Sequence, residues 1–357
     1  MNAIWRGPET DVATTHAVEF RGTGREYFRV WLVNVTLTIL TLGLYAPWAK
    51  VRTRRYFHGV TSLAGYSFEY HAAPMRILLG RAVVAAALFA GLVSLQLGRW
   101  AVVAWALAAI AVFPLLVRQA IRFNARNTSW RGVRFNFFAS YREALFACVV
   151  WPVAGLLTLF LLPAARGVWD RFRVNHLSFG GRMFRAEYSP ARMFTIFATG
   201  FVLIVGVLVV MIGATMGVMV FTTRMHDVAQ HFIVPVDPTS FSQVFTLLFG
   251  TCAFFIAVFV MQMANNLTLT HTVIEGGHRI VSKASPSRVA LIVMSNTVLT
   301  VLTLGLFWPF AKVRLARYRM SQTSVIAMGD LDAFANEALE MQSTMGREIS
   351  GLMEFGL

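Results

Sequence analysis

Apolar residues gather in long runs at about 31–46, 77–97, 100–117, 144–162, 194–221, 243–264 and 290–310, separated by short polar connectors. Most approach the ~20 residues that a membrane-spanning helix needs, and the first falls short. Between the runs the pattern changes period. "GVTSLAGYSFEYHA", "NTSWRGVRFNFFA", "HLSFGGRMFRAEY" and "THTVIEGGHRIVSK" each hold two short β-type runs around Ala64-Gly65, Arg131-Gly132, Gly180-Gly181 and Gly276-Gly277. Primed two-residue turns need positive φ, which glycine supplies, so each segment reads as a β-hairpin. A lone hairpin is marginal in water. The four, with the strand-like "HAVEFRG" at 16–22, are expected to pair into a small cytoplasmic β layer under a polytopic α-helical membrane protein. The chain then divides into an N-terminal strand segment (1–29), a membrane domain (30–320) with hairpins at 56–72, 127–138, 175–187 and 268–284, and an acidic amphipathic tail (321–357).

The chain also repeats itself. Residues 34–56 and 296–318 align at a constant offset that matches Asn34 with Asn296, Gly43 with Gly305, Pro47 with Pro309, Lys50 with Lys312, Arg52 with Arg314, Arg55 with Arg317 and Tyr56 with Tyr318. Hydrophobicity alone would not align Asn, Pro, Lys and Arg, so this is internal duplication. Setting Pro47 on Pro114 and Pro163 exposes weaker copies, with Arg122-Phe123 and Arg171-Phe172 in place of Arg55-Tyr56. Phe135 and Phe184 then stand in place of Phe68, and a degraded copy puts Ile280 there.

Composition agrees with membrane residence: 57% of the 357 residues are hydrophobic and 14% charged, with mean hydropathy +0.60. The net charge of +15 lies in connectors beside apolar runs, which points to anionic lipid headgroups and cytoplasmic connectors rather than to nucleic acid. Seven crossings would set 118–142 and 164–192 on opposite sides, yet each holds six arginines. The conflict disappears if 31–46, 144–162 and 290–310 are re-entrant and the remaining runs form two crossing hairpins; a seven-helix protein that breaks the charge rule once is the rival. The tail carries Leu331, Phe334, Ala338, Met341, Met345, Ile349 and Leu352 at helical spacing, with acids opposite, and either docks on the basic hairpins or lies in solvent.

No constellation for catalysis, cofactor or metal stands out, and the expectation is a non-enzyme. Acids are absent from the centres of the apolar runs, and no metal helix, phosphate loop or nucleophile elbow occurs. His226, Asp227 and His231 form the nearest approach to a metal motif, at a spacing that matches no familiar site. Cys148 and Cys252 lie in apolar runs and read as packing residues. Asn34, Asn296, Gln262, Asn265 and Asn266 either hydrogen-bond between helices or line a polar cavity. Lys50, Arg52, Arg55, Lys312, Arg314 and Arg317, flanked by aromatics, stand where an anionic headgroup would lie. Gly206, Gly213 and Gly217 suit close helix packing, within the chain or against a second copy or another membrane protein.

"GREYFRVWLVNVTLTILTLGLYAPWAKVRTRRYF" (24–57), "GYSFEYHAAPMRILLGR" (65–81), "RFNARNTSWRG" (122–132) and "LTLGLFWPFAKVRLARY" (302–318) resemble the YjgN-like family of bacterial inner-membrane proteins. The resemblance covers nearly the whole chain. It implies a multi-pass protein of the bacterial inner membrane and carries no catalytic residues to transfer. Transport or the handling of lipid or small solutes through a cavity between repeats is the first functional expectation, and a membrane scaffold or regulatory subunit the second.

Overall fold

The computed structural model describes residues 13–226 and 238–354, and along them one order of elements recurs five times: strand, helix, helix, strand. The first unit is β1 (Ala13–Phe20), α1 (Gly24–Leu40), α2 (Ala46–Gly59) and β2 (Thr61–Leu63). The second is β3 (Tyr66–Tyr70), α3 (Pro74–Leu97), α4 (Arg99–Arg126) and β4 (Thr128–Trp130). In the third, β5 (Val133–Phe137) leads into α5 (Tyr141–Leu145), a π-helical turn (Phe146–Val150) and α6 (Trp151–Thr158), then α7 (Leu162–Asn175) and β6 (Leu177–Phe179). The fourth is β7 (Arg182–Ala186), α8 (Pro190–His226), α9 (Pro238–Thr270) and β8 (Thr272–Ile274). The fifth is β9 (His278–Ser282), α10 (Pro286–Leu302), α11 (Trp308–Ser321) and β10 (Thr323–Met328), after which α12 (Leu331–Glu354) follows.

The strands do not form the small layer that the local pattern suggests. They close into a ten-stranded antiparallel barrel in which β1 pairs with both β2 and β10. The reason lies in β10: "TSVIAM" has no hairpin partner beside it in sequence, and it finds β1 at the other end of the chain. Closure removes the sheet edges that four open hairpins would expose. Three of the hairpins share one turn, with Ala64, Arg131 and Gly180 at φ of 50°, 51° and 54°, followed by Gly65, Gly132 and Gly181 at 83°, 81° and 89°.

Alternation along the strands turns apolar side chains inward from every strand. Leu63, Trp130, Phe179, Ile274 and Val325 come from the even strands, and Val18, Phe68, Phe135, Phe184 and Ile280 from the odd ones, all in one cluster. Phe68, Phe135, Phe184 and Ile280 are the positions that the alignment of the copies sets in one place. α12 completes the cluster with Leu331, Phe334, Ala335 and Ala338 and stoppers the turn end of the barrel. Its acids meet the turns: Asp332 pairs with Arg131, and Glu337 with Arg182 at 2.6 Å. Segment 321–357 thus supplies the closing strand and the plug. The side chains of Met345, Ile349 and Leu352 lie outside the described residues.

Each helix pair leaves one rim of the barrel and returns to it. Thr23 and Ser140 start their helices with capping boxes, and Ser285 caps α10. A repeated latch then ties each unit to the next. Arg55 donates to the Tyr70 carbonyl (3.3 Å), Arg118 to Ala139 (3.4 Å), Arg171 to Tyr188 (2.7 Å), Asn266 to Ala284 (2.6 Å) and Arg317 to Gly22 (2.7 Å), which returns the ring to its first unit.

The tips of the first and fifth pairs share one geometry. Leu42 and Leu304 take φ near 50° ahead of Gly43 and Gly305 at 91°, and the Gly43 and Gly305 amides donate to Thr38 and Thr300 at 2.7 Å. Leu42 is 95% exposed and Leu304 94%. The α1/α2 and α10/α11 pairs use helices of 17 and 14 residues, about 25 and 21 Å at ~1.5 Å per residue. α3, α4, α8 and α9, at 24, 28, 37 and 33 residues, are far longer.

Candidate functional site

A groove of about 510 Å³ opens where α1 and α2 meet α11, between the first and fifth units. Tyr27, Trp31, Asn34, Thr38 and Ile39 enter from α1, Ala49, Lys50, Thr53 and Arg54 from α2, and Lys312 from α11. Three cations and no carboxylate line it. Lys312 Nζ lies 5.5 Å above the Tyr27 ring and 4.9 Å above that of Phe57, and donates to the Tyr27 hydroxyl at 3.4 Å. These contacts orient the ammonium and leave its charge uncompensated.

Asn34 is 5% exposed, and its Nδ2 donates to the Ala49 carbonyl and Thr53 Oγ1, both at 3.4 Å. The carbonyl can only accept, so the amide is oriented with Nδ2 toward α2. Its Oδ1 is buried and accepts from no described group, at a cost of about 1–3 kcal/mol. The duplicate behaves differently. Asn296 Nδ2 donates to Ala311 at 3.1 Å, and its Oδ1 receives Arg314 at 3.3 Å. Arg52, the counterpart of Arg314, is exposed and makes no such bond. Where the first unit places Tyr27, Trp31, Thr53 and Arg54, the fifth has Val289, Val293, Leu315 and Ala316. The two best-matched copies thus diverge on the residues of this groove.

The remaining residues singled out from sequence are distributed around the ring. Arg55 and Arg317 are spent on the latch, and Arg314 on Ser295 (2.9 Å) and Asn296. Gln262 donates to Asn266 within α9 at 2.9 Å, Asn266 also accepts from Ser282 at 2.9 Å, and Asn265 accepts from Arg166 at 2.7 Å, so the two asparagines tie α9 to its neighbours, away from the groove. A Cβ on Gly206, Gly213 or Gly217 would meet nothing within 4 Å among the described residues. Gly91 and Gly200 make the close approaches instead, with Trp105 at 2.7 Å and Val260 at 2.5 Å from an added Cβ. His226 closes α8, while its side chain, Asp227 and His231 lie outside the described residues. Among the described residues no three His, Cys, Asp or Glu side chains gather to hold a metal.

Sequence reasoning missed Tyr27, Trp31 and Arg54, although their divergence between matched copies was available as a signal. It also missed Asp170. At 3% exposure, this carboxylate is clasped by Arg166 (2.8 Å) and Thr268 (3.0 Å), joining α7 to α9. The i,i+4 spacing of Arg166 and Asp170 was its trace.

Residues 15–352 match the family described as bacterial protein of unknown function (DUF898). The chain belongs to this family. The DUF898 chain is 32% identical over 149 residues to inner membrane protein YjgN of Salmonella typhimurium (strain LT2), a match covering 41% of this chain and 38% of that protein. It is 30% identical over 160 residues to inner membrane protein YjgN of Escherichia coli (strain K12), covering 43% of this chain and 39% of that one. The match thus spans well under half the length of either relative. No solved structure matches the DUF898 chain. Five helices among the described residues are long and apolar enough to cross a membrane, and the DUF898 chain is an integral, helical membrane protein.

Proposed function

We propose that this is a non-enzymatic protein of the bacterial inner membrane that takes an anionic lipid, or a solute of like chemistry, into the groove between its first and last repeats. The barrel and the basic connectors lie on the cytoplasmic side. α3 with α4 and α8 with α9 cross the bilayer. The first and fifth pairs enter and return, because about 25 Å of helix cannot traverse a core of about 30 Å; the third, whose Tyr141–Thr158 arm is the fifth apolar helix, returns with them through the basic, 14-residue α7. Their apolar tips, Leu42 and Leu304 among them, are nearly fully exposed, which suits lipid and not water.

The observation that carries the reading is the groove itself: Lys50, Arg54 and Lys312 without an acid, beside an asparagine lacking a donor, in the copy that has diverged from its duplicate. Trp31, Val35 and Ile39 offer apolar surface beside the charges. A docking scaffold is the second reading, favoured by the plug, since α12 and the apolar rings close the barrel to axial flow.

Native mass spectrometry of the purified protein with phosphatidylglycerol and phosphatidylethanolamine tests the choice. The expected result is preferential retention of phosphatidylglycerol that falls about tenfold, ~1.4 kcal/mol, in a Lys50→Gln, Lys312→Gln double variant. Equal retention of both lipids, unchanged in the variant, would remove the lipid reading and favour the scaffold.

A further inference from the structure

A second cavity, of about 680 Å³, lies on the barrel axis between the apolar rings and the ends of α2, α4, α7 and α11. Its volume falls within the ~300–1,000 Å³ of ligand pockets. Val18, Phe68 and Phe135, all odd-strand members of the barrel cluster, form its floor, so on the barrel side it ends in packed side chains. The walls are mostly apolar, with two guanidinium groups, Arg54 and Arg173, and no carboxylate.

Arg54 uses Nη1 for the Tyr70 hydroxyl (2.8 Å) and the Asn124 side-chain oxygen, both uncharged. Arg173 approaches the Trp169 ring at 6.0 Å. An apolar chamber with two cations and no acid suits an anion attached to an apolar body. Arg54 lines the lateral groove as well, so the groove and the chamber share this residue as a wall. A chamber of this volume suits a ligand with one slender apolar portion better than one with two acyl chains.

We infer that the axial chamber binds a single-chain anionic amphiphile, a long-chain carboxylate or monoacyl phosphate, with its head between Arg54 and Arg173. The inference rests on the groove reading in one respect: the groove is the route by which such a molecule arrives from the bilayer, passing Arg54.

The test uses the full-length protein in lipid nanodiscs with a diazirine-bearing long-chain fatty acid, the matching fatty alcohol, and a diazirine-bearing two-chain phosphatidylglycerol. Photolabelled residues are mapped by mass spectrometry at the groove (Trp31, Ile39) and at the chamber (Leu177, Met320). The fatty acid is expected to label both places and the phospholipid the groove alone. Chamber labelling by the alcohol should be at least fivefold weaker. Arg173→Gln should lower chamber labelling by the acid about fivefold while groove labelling holds, and Arg173→Lys should restore most of it, separating charge from folding. Groove labelling with an unlabelled chamber overturns this inference and leaves the groove reading standing. A labelled chamber with an unlabelled groove supports the chamber and overturns the groove. Equal labelling of the chamber by acid and alcohol overturns the anionic assignment, and silence at both places overturns both.

Discussion

Gly180 shows how one residue records a distant contact. Ala64 and Arg131 hold the same left-handed position in their turns, so the turn itself does not require glycine there. At Gly180 an added Cβ would lie 2.2 Å from the Ala338 Cβ and 2.7 Å from its Cα. The glycine is therefore there for α12, whose backbone crosses this turn. Gly180→Ala should destabilise the seat of α12 by about 1–3 kcal/mol through overpacking. Hydrogen exchange should show faster exchange across 331–344 and little change elsewhere, whereas Ala64→Gly should leave α12 unaffected. Slow, unaltered exchange in Gly180→Ala would mean that the helix does not rest on this turn.

At the scale of elements, the plug is also where pH acts. His278 of β9 accepts the Met328 amide through Nδ1 (3.3 Å) and meets the Phe334 ring of α12 edge-on at 4.2 Å. Burial first, and then the neighbouring Arg182 of β7, itself paired with Glu337 of α12, hold this imidazole below its usual 6.5. The folded state then binds fewer protons than the unfolded one, so stability is complete above about 6.5 and declines as pH falls toward the lower folded value. Limited proteolysis of α12 should accelerate between pH 7.5 and 5, and His278→Asn should flatten the dependence; a pH-independent rate in the natural protein would exclude His278 as the cause. Much at this scale was legible in the sequence. The helix runs, the X-Gly hairpins and the matched Asn, Pro and Arg positions all depend on local pattern. β10 was not, because its partners are far away in the chain and leave no periodic trace nearby; α12 was half legible, since its helical spacing and acids left docking on the basic hairpins or solvent open, and its contacts with Arg131 and Arg182 decide it. The groove was half legible: Asn34, Lys50 and Lys312 stood out, but that they meet depends on α1 lying beside α11.

For the whole molecule, the decisive event is closure of the ring. β1 and β10 pair from Ala13–Met328 to Ala17–Ser324, and Arg317 adds its bond to Gly22. Arg317→Gln should loosen this seam first, seen as faster amide exchange in Thr323–Met328 than in β4 or β6, with a loss of about 1–2 kcal/mol for a charged hydrogen bond. Uniform exchange over all strands would show that the seam is no weaker than the rest.

Closure also has a consequence in time. Residues 13–17 leave the ribosome first, and their partners about 300 residues later, so at ~5–20 residues per second the first strand waits roughly 15–60 s with that stretch unpaired. Through this interval five helix pairs must form while an open sheet edge remains, where it can be joined by a strand from another chain. Delayed or interrupted synthesis therefore endangers this protein chiefly at its beginning, and a holdase or a slow-growing membrane environment that shields "ATTHA" would raise its yield more than one acting at the helices.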